Sequence, residues 1–278
     1  MKIAILSGKG GAGKTLVAVN LAAVLNEGVY IDCDIEEPNG HLFLKPNIEE
    51  KIPVYSTLPS VDGKLCDGCR KCVDFCAFNA LVYLKNQVMI FPGICHSCGG
   101  CAMVCPKHAI TEVDHQVGVI EYGKHHDLDV YTGIMNVGEE SGLKIIDKLK
   151  EFSDKSQKDV IIDCPPGSAC SVMESINDVD FCILVAESTA FGFHNFCMVH
   201  ELVKIMQKPC AVIINKYEDA YAPLEEYLEK ENLKLLMRIP YEQKIAEMVS
   251  EAKILVEEDE VMHQKFASAL NELRGCVE

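Results

Sequence analysis

The first group of residues with recognisable chemistry is a glycine-rich loop near the start of the sequence. Residues 8–15 read Gly-Lys-Gly-Gly-Ala-Gly-Lys-Thr and fit the pattern G-x-x-x-x-G-K-[ST]. Glycines permit a tight backbone path on which successive amide N–H groups converge on an anion, and Lys14 adds a positive charge. The hydroxyl of Thr15 is suited to bind Mg²⁺. The predicted phosphate-binding residues are Gly8, Gly10, Gly11, Ala12, Gly13, Lys14 and Thr15.

The second group consists of two cysteine runs with the same C-x2-C-x2-C-x3-C spacing. In bacterial ferredoxins with this spacing, three cysteines of one run hold one [4Fe–4S] cluster and the fourth ligates the other cluster. The first predicted ligand set is Cys66, Cys69, Cys72 and Cys105. The second is Cys95, Cys98, Cys101 and Cys76.

Zinc is the alternative metal for these cysteines. Zinc sites group their ligands in paired C-x2-C knuckles and rarely use two complete four-cysteine runs, so the spacing favours iron–sulfur clusters. Ala80 and Ala109 begin similar segments at equal distances after the fourth cysteine of each run, which indicates an internal repeat. We expect helices just after the third cysteines and short strands outside them.

The elements around the glycine-rich loop have the order that phosphate binding requires. Residues 2–7 form a short apolar segment typical of a buried strand, and residues 16–25 have the character of a helix. This context favours a phosphate loop over the alternative, a chance glycine-rich turn. Strand and helix signals continue to alternate along the chain and predict an α/β fold with an open, mostly parallel sheet flanked by helices. A nucleotide would bind at the carboxyl ends of its strands.

The cysteine region interrupts this alternation. We predict a discontinuous P-loop domain at residues 1–57 and 114–278, and an inserted α+β ferredoxin domain of the two-[4Fe–4S] bacterial type at residues 58–113. After the insertion, residues 117–122 and 128–133 read as strands and residues 142–152 as a helix. His125 and His126 lie between these strands. We expect them to form a polar turn, because adjacent strand residues face opposite ways and no third metal ligand is near in sequence.

Composition limits the classes of partner. A net charge of −16 argues against binding of nucleic acid or anionic membranes through a broad basic face. No apolar run approaches the ~20 residues that a membrane span needs, and the sequence enters a strand directly, so we expect a cytoplasmic protein. Fifteen cysteines in such a protein indicate metal or redox chemistry rather than disulfides.

A second lysine inside the glycine-rich loop, Lys9, makes the motif more specific. The loop resembles the deviant Walker A motif of the MinD/ParA/Mrp ATPases and the nitrogenase iron protein. This resemblance implies that the nucleotide is ATP, hydrolysed with Mg²⁺, and that two copies of the chain form a homodimer. It also implies that Lys9 reaches the phosphates held by the other copy and stabilises charge there.

The resemblance extends to the ends of the later strands. Asp34 is expected beside the attacking water or a Mg²⁺-bound water, although a surface turn is the alternative interpretation of the Asp32-Cys33-Asp34 stretch. Asp163 and the following Pro-Pro-Gly resemble switch II, in which Asp163 would bind Mg²⁺ through water and the Gly167 amide would sense the γ-phosphate. The residues expected on the adenine side are Asn215, Lys216 and Pro240.

Cys170, just after this switch, has two interpretations. The nitrogenase iron protein also carries a cluster-ligating cysteine downstream of its switch II, but a small buried thiol at a helix start is the more common arrangement. The remaining cysteines lack partners at ligand spacing and are interpreted as core or surface thiols. They include Cys33, Cys182, Cys197, Cys210 and Cys276.

Three functions fit this combination of motifs. The first, which we favour, is an ATPase that assists assembly or delivery of a metal–sulfur cofactor, as Mrp-type proteins do. The second is an ATP-gated donor of low-potential electrons resembling the nitrogenase iron protein. Both require a protein acceptor, of clusters or of electrons. The third is a nucleotide-dependent positioning or regulatory switch, which is disfavoured because the acidic terminal helices lack the basic amphipathic tail of MinD proteins.

Overall fold

The computed structural model describes residues 1–25, 27–139 and 141–277, with side chains through residue 275. The described residues form eleven strands, eleven α-helices and one short 3-10 helix at Pro92–Ile94. Strands β1 to β11 are, in order, Lys2–Ser7, Glu27–Asp32, Asn47–Val61, Leu81–Leu84, Gln87–Ile90, Ile110–His125, Asp127–Met135, Val160–Asp163, Phe181–Glu187, Cys210–Tyr217 and Lys234–Pro240. Helices α1 to α11 are Lys14–Leu25, Gly40–Leu44, Lys71–Phe75, Gly100–Met103, Leu143–Lys155, Cys170–Ile176, Ala190–Ile205, Ala222–Lys230, Gln243–Ser250, Leu255–Glu258 and Glu260–Val277.

The chain divides into two compact units. The first comprises Met1–Ile52, Ile120–Ile134 and Ile146–Glu278, and the second comprises Pro53–Val119 and Met135–Ile145. Strands β3 and β6 each begin in one unit and end in the other. The second unit contains all eight cysteines of the two runs.

The sheet of the first unit is built from parallel strands. The order of the nine-stranded sheet is β11-β10-β9-β1-β8-β2-β7-β6-β3. Every pairing from β11 across to β7 is parallel. The carboxyl ends of these strands therefore meet at one edge, where the glycine-rich loop follows β1. This confirms the predicted α/β fold with a mostly parallel sheet.

Both faces of this sheet are covered. Ile3 and Ile5 of β1 pack into a core with helices α1 and α11, whereas Ala4 and Leu6 point to the opposite face and are equally buried. Helix α1 is apolar on all sides and lies almost entirely inside the protein, which fits its enclosure by neighbouring elements. The helix that begins in the phosphate loop is therefore firmly held.

The second unit contains a structural repeat built on the two cysteine runs. Helices α3 and α4 occupy equivalent positions, and each contains the third cysteine of its run, Cys72 or Cys101. The sequence predicts helices just after the third cysteines, whereas each helix begins one residue before its cysteine. Three pairs of equivalent residues adopt positive φ, namely Gly68 and Ser97, Arg70 and Gly99, and Asn79 and His108.

The segment after the second run differs in length from the expectation. Strand β6 runs without a break from Ile110 to His125, where the sequence predicted only residues 117–122. Strand β7 covers the predicted strand at 128–133, and α5 begins one residue after the start of the predicted helix at 142–152 and ends three residues beyond it. Strand β6 has polar and apolar residues on both of its sides. The sequence therefore lacks the two-residue alternation of polar and apolar residues by which a strand is recognised.

Candidate functional site

The glycine-rich loop lies at the carboxyl edge of the sheet, between β1 and α1. Helix α1 begins at Lys14, so the helix N-terminus adds its positive dipole to the loop. Gly11 and Gly13 have φ values of +79° and +93°, a conformation that glycine adopts without strain. A Cβ atom at Gly13 would lie 1.9 Å from the side-chain nitrogen of Asn215, so this close approach also requires glycine.

Lys14 lies in a group of three acidic side chains. Its ammonium pairs with Asp163 at the end of β8 and lies 3.6 Å from the Asp34 carboxylate. Asp32, at the end of β2, also acts on it. Burial opposes the charged ammonium, but Asp163, Asp32 and Asp34 outweigh that effect and raise the pKa of Lys14. The lysine therefore stays charged and can attract a phosphate group.

Asp34 differs from its neighbour Asp32 in burial. Burial raises the pKa of Asp34 to about 6, although Lys14 acts in the opposite direction. Asp32 is fully buried and accepts hydrogen bonds from the backbone N–H groups of Asp34 at 3.1 Å and Gly40 at 3.0 Å. These bonds fix the turn that carries Asp34. Asp34 is the member of the pair that reaches toward the loop, whereas Asp32 holds the backbone.

Tyr30 contributes to the site, although no motif in the sequence marks it. Its hydroxyl donates to Asp163 Oδ2 over 3.1 Å, and both side chains are fully buried. Asp163 is thus held by Lys14 on one oxygen and by Tyr30 on the other. The sequence offers only one sign of this role for Tyr30. The residue lies on the strand that ends in Asp32, and its side chain faces away from those of the two residues next to it in the chain.

Glu187 is the second residue of the site to which the sequence motifs assign no role. It ends β9 and forms ion pairs with Lys9 and with Lys216, the latter at 2.8 Å. Although burial opposes its ionisation, these two lysines lower the pKa of Glu187. Lys9 also lies 5.1 Å from the ring centroid of Phe191. The sequence sign of this role is the position of Glu187. Like Asp32 and Asp163, it is an acid at the end of a buried strand.

Two of the three residues predicted on the adenine side contact the glycine-rich loop. Asn215 donates to the Ala12 carbonyl over 2.8 Å, and Lys216 donates to the Gly11 carbonyl over 2.6 Å. Pro240 ends β11 and pairs with Tyr217 of β10. Gly167 donates its amide hydrogen to the carbonyl of Ser7 over 2.9 Å. The end of β10 is therefore linked directly to the loop, a connection that the motifs did not reveal.

In the second unit, one cavity is lined by Cys66, Cys69, Cys72 and Cys105. The structure thus brings together the four thiols that the spacing assigned to one cluster, although Cys105 comes from the other run. Burial raises the pKa of Cys72, and Cys105 and Cys66 add to the shift. The backbone N–H of Ala109 donates to the Cys105 sulfur over 3.3 Å. Four thiols around one cavity, with a backbone hydrogen bond to the Cys105 sulfur, fit an iron–sulfur cluster.

The second ligand set has matching features. Burial raises the pKa of Cys101, with smaller contributions from Cys95 and Cys98. The backbone N–H of Ala80 donates to the Cys76 sulfur over 3.3 Å, as Ala109 does to Cys105. Phe78 stacks on His96 with ring centroids 3.6 Å apart, which joins the segments that carry Cys76 and Cys95. Both fourth cysteines therefore have the same hydrogen-bonded environment.

The other cysteines fall into two groups. Cys33, Cys164 and Cys182 are buried, and Cys197 and Cys210 are partly buried, in agreement with the assignment of the remaining cysteines as core or surface thiols. Cys170 is the first residue of α6 and is exposed, so the expectation of a buried thiol at that helix start is wrong. The side chain of Cys276 lies outside the described residues.

Within the described part of the chain, no helix has the length and apolar character needed to cross a membrane.

Comparison with known proteins gives relatives over most of the chain. The uncharacterized protein MJ0578 of Methanocaldococcus jannaschii is 28% identical over 221 residues, which cover 78% of this chain and 78% of that protein. A shorter match, 51% identical over 53 residues, covers 18% of this chain and 18% of the iron-sulfur cluster carrier protein of Pyrococcus horikoshii.

Solved structures show a similar fold. The septum site-determining protein MinD of Pyrococcus horikoshii, complexed with Mg-ADP, aligns with a TM-score of 0.62 and 18% identity. The alignment covers 100% of this chain and 98% of that one. The sequence profile described as "CbiA: CobQ/CobB/MinD/ParA nucleotide binding domain" matches residues 3–256. With its phosphate loop at the carboxyl edge of a parallel sheet, the chain belongs to the CobQ/CobB/MinD/ParA family of nucleotide-binding domains.

Proposed function

We propose that this protein is a Mg²⁺-dependent ATPase that carries two [4Fe–4S] clusters and assists the assembly or delivery of a metal–sulfur cofactor. One observation carries the proposal. A single chain contains a phosphate loop with a buried, charged lysine and, in its second unit, a cavity lined by the four cysteines Cys66, Cys69, Cys72 and Cys105.

The nucleotide half of the proposal assigns roles to residues at the carboxyl edge of the sheet. Lys14 and the loop amides bind phosphate, and Thr15 is a ligand for Mg²⁺, which would neutralise phosphate charge. Asp34 orients water near the phosphates, and Asp163 holds a water on the metal. Asn215, Lys216 and Pro240 lie on the strand ends proposed to contact the base. The bonds of Asn215 and Lys216 to the loop support a role that couples the base to the phosphates.

The iron–sulfur half rests on the second unit, with residues 58–113 as the proposed ferredoxin domain. Cys66, Cys69, Cys72 and Cys105 would hold one cluster, and Cys95, Cys98, Cys101 and Cys76 the other. The equivalent backbone bonds to Cys76 and Cys105 support this assignment, because hydrogen bonds to sulfur are a normal feature of iron–sulfur sites. A bound cluster would supply electron transfer or a transferable iron–sulfur unit.

The proposal also includes a homodimer that works in the cytoplasm with a protein acceptor. Within its own chain, Lys9 is held by Glu187 near the loop. Lys9 is partly exposed, with 24% of its side chain accessible, so it can exchange this pairing for phosphates bound by a second copy. The short match to an iron-sulfur cluster carrier protein, which covers 18% of this chain, supports delivery of a cofactor. Electron donation is the alternative.

Anaerobic reconstitution with iron and sulfide tests the iron–sulfur half. We expect about eight iron atoms per chain, the content of two cubane clusters. Cys66→Ser and Cys95→Ser should each lower that content, since each removes a ligand from one set. Cys210→Ser is the matched control, because this partly buried cysteine lies outside both runs. An unchanged iron content in both ligand variants would refute the ferredoxin assignment.

Transfer assays then distinguish the two uses of the clusters. The reconstituted protein is mixed with an apo-ferredoxin. Separately, its clusters are reduced with dithionite, the excess dithionite is removed, and an oxidised dye is added as electron acceptor, and both assays are run with and without Mg-ATP. If iron is transferred to the apo-ferredoxin only when ATP is present, the result supports delivery of a cluster. Retention of iron through many turnovers, together with dye reduction that depends on ATP, would overturn delivery in favour of electron donation.

A further inference from the structure

The turn between β6 and β7 brings two histidines together. His125 is the last residue of β6, and His126 is the single residue before β7 begins at Asp127. His126 has a φ of 51°, in the left-handed region. This conformation interrupts the alternation of side chains along a strand, so the two rings meet with centroids 4.5 Å apart. The expectation that adjacent histidines would face opposite ways is therefore wrong.

A third side chain reaches the histidines from a distant part of the sequence. Glu257 belongs to the short helix α10, and its Oε1 lies 3.3 Å from Nε2 of His125. One potential ligand atom from each of His125, His126 and Glu257 lies within 4.8 Å of the others. Glu257 is far from the histidines along the chain, so the spacing of residues in the sequence does not reveal it as a third ligand.

The position of Glu257 is fixed by the packing of α10. Leu255 is fully buried, and the backbone N–H of Val256 donates to the side-chain oxygen of Asn20 over 2.9 Å. Asn20 lies in α1, the helix that begins in the phosphate loop. The acid is thus presented by an anchored backbone, while its side chain is 45% exposed and able to adjust.

We propose that His125, His126 and Glu257 bind one divalent transition-metal ion of the zinc class. Two imidazoles and one carboxylate are a ligand set that zinc accepts, with a fourth position open to water. Mg²⁺ and Ca²⁺ prefer oxygen ligands and fit less well. Tetrahedral ligands at ~2.0–2.1 Å from zinc are about 3.4 Å apart, so small rotations of exposed side chains close the site.

The ion would tie the β6–β7 turn to helix α10. His125 is mostly buried, with 17% of its side chain exposed, whereas His126 and Glu257 face solvent. The ion can therefore enter from solvent and keep a bound water. The site uses none of the residues proposed to bind nucleotide or iron–sulfur clusters.

Titration of the full chain with Co²⁺, a spectroscopic substitute for zinc, tests the site. The cysteines can also bind Co²⁺, but they are common to parent and variants, so the difference between their spectra isolates the histidine site. We expect one equivalent of Co²⁺ per chain in this difference, with visible bands of nitrogen and oxygen ligation and no sulfur-to-metal charge transfer. His126→Asn and Glu257→Gln should each weaken this binding by at least about tenfold.

His115→Asn provides the matched control. His115 lies 2.7 Å from Glu139 and forms a similar histidine–glutamate pair, but it belongs to no three-ligand group among the described residues. This variant should retain the full equivalent of Co²⁺. Equal Co²⁺ binding by the parent and both site variants would overturn the proposal, and so would a difference spectrum dominated by sulfur ligation. Circular dichroism checks that both surface variants are folded.

Discussion

Lys14 and Asp163 form an ion pair in which 6% of the Lys14 side chain and 0% of the Asp163 side chain are exposed. Tyr30 binds the second oxygen of the same carboxylate. The lysine of the phosphate loop is therefore part of the folded core as well as of the nucleotide site. A phosphate that binds Lys14 must compete with the Asp163 carboxylate for its ammonium.

Replacement of Lys14 should therefore affect stability as well as nucleotide binding. Lys14→Met leaves Asp163 and Asp34 without their cation, and removal of one partner of a buried pair costs about 3–5 kcal/mol. We expect urea unfolding at neutral pH to show this loss. Lys148→Met, which removes an exposed pair with Glu151, should cost less than about 1 kcal/mol. Equal stability of the two variants would contradict the structural role of Lys14.

Lys9 should act on hydrolysis rather than on binding. If it stabilises charge on phosphates held by a second copy, Lys9→Met should lower kcat by about 10³ while leaving nucleotide affinity nearly unchanged. Mixing Lys9→Met with Asp34→Asn checks the arrangement, because Asp34→Asn retains Lys9 but has an impaired site of its own. Hydrolysis by the mixture should exceed that of either variant alone. Purely additive rates would show that Lys9 works within its own chain.

Two glycines of the loop should respond very differently to alanine. Gly13 has positive φ, and a Cβ there would collide with the Asn215 amide, so Gly13→Ala should abolish most ATP binding. Gly10→Ala serves as the control, since a Cβ at Gly10 meets no atom within 4 Å. Calorimetric titration with ATP measures both. If Gly13→Ala bound ATP as Gly10→Ala does, the close contact between Gly13 and Asn215 would not be required for the site.

His200 should lower stability in mild acid, an effect opposite in sign to that of Asp34, whose raised pKa makes the folded chain bind that proton more readily. This buried histidine on α7 bonds the Tyr227 hydroxyl through Nδ1 at 2.9 Å, and burial, with help from Lys204, lowers its pKa. Glu231 and Glu201 oppose this shift. The unfolded chain, with a histidine pKa of about 6.5, binds the proton more readily, so stability decreases as pH falls below that value toward the folded pKa.

Urea unfolding between pH 7.5 and 5 measures this effect. His200→Gln removes this titrating group, so acidification in that range should destabilise the variant less than the parent. His194→Gln is the control, because His194 lies on the same helix and is exposed. A slope that is the same in His200→Gln and in the parent would assign the acid sensitivity to other groups.

The sequence alone determined the local parts of this protein. The phosphate loop, its flanking strand and helix, and the two cysteine runs depend on residues close together in the chain, so spacing is enough to define them. The parallel sheet followed as well, since alternating strand and helix signals leave few arrangements. The resemblance to MinD and ParA proteins rested on the same short motifs and is confirmed at the level of the family.

Only the tertiary structure decided which distant side chains meet. Tyr30 contacts Asp163 because β2 and β8 are neighbours in the sheet, and Glu187 reaches Lys9 because β9 lies beside β1. Glu257 reaches His125 because helix α10 packs against α1. Such contacts depend on strand order, helix packing and the left-handed turn at His126. None of these leaves a periodic pattern in the sequence, so they become visible only when the chain is folded.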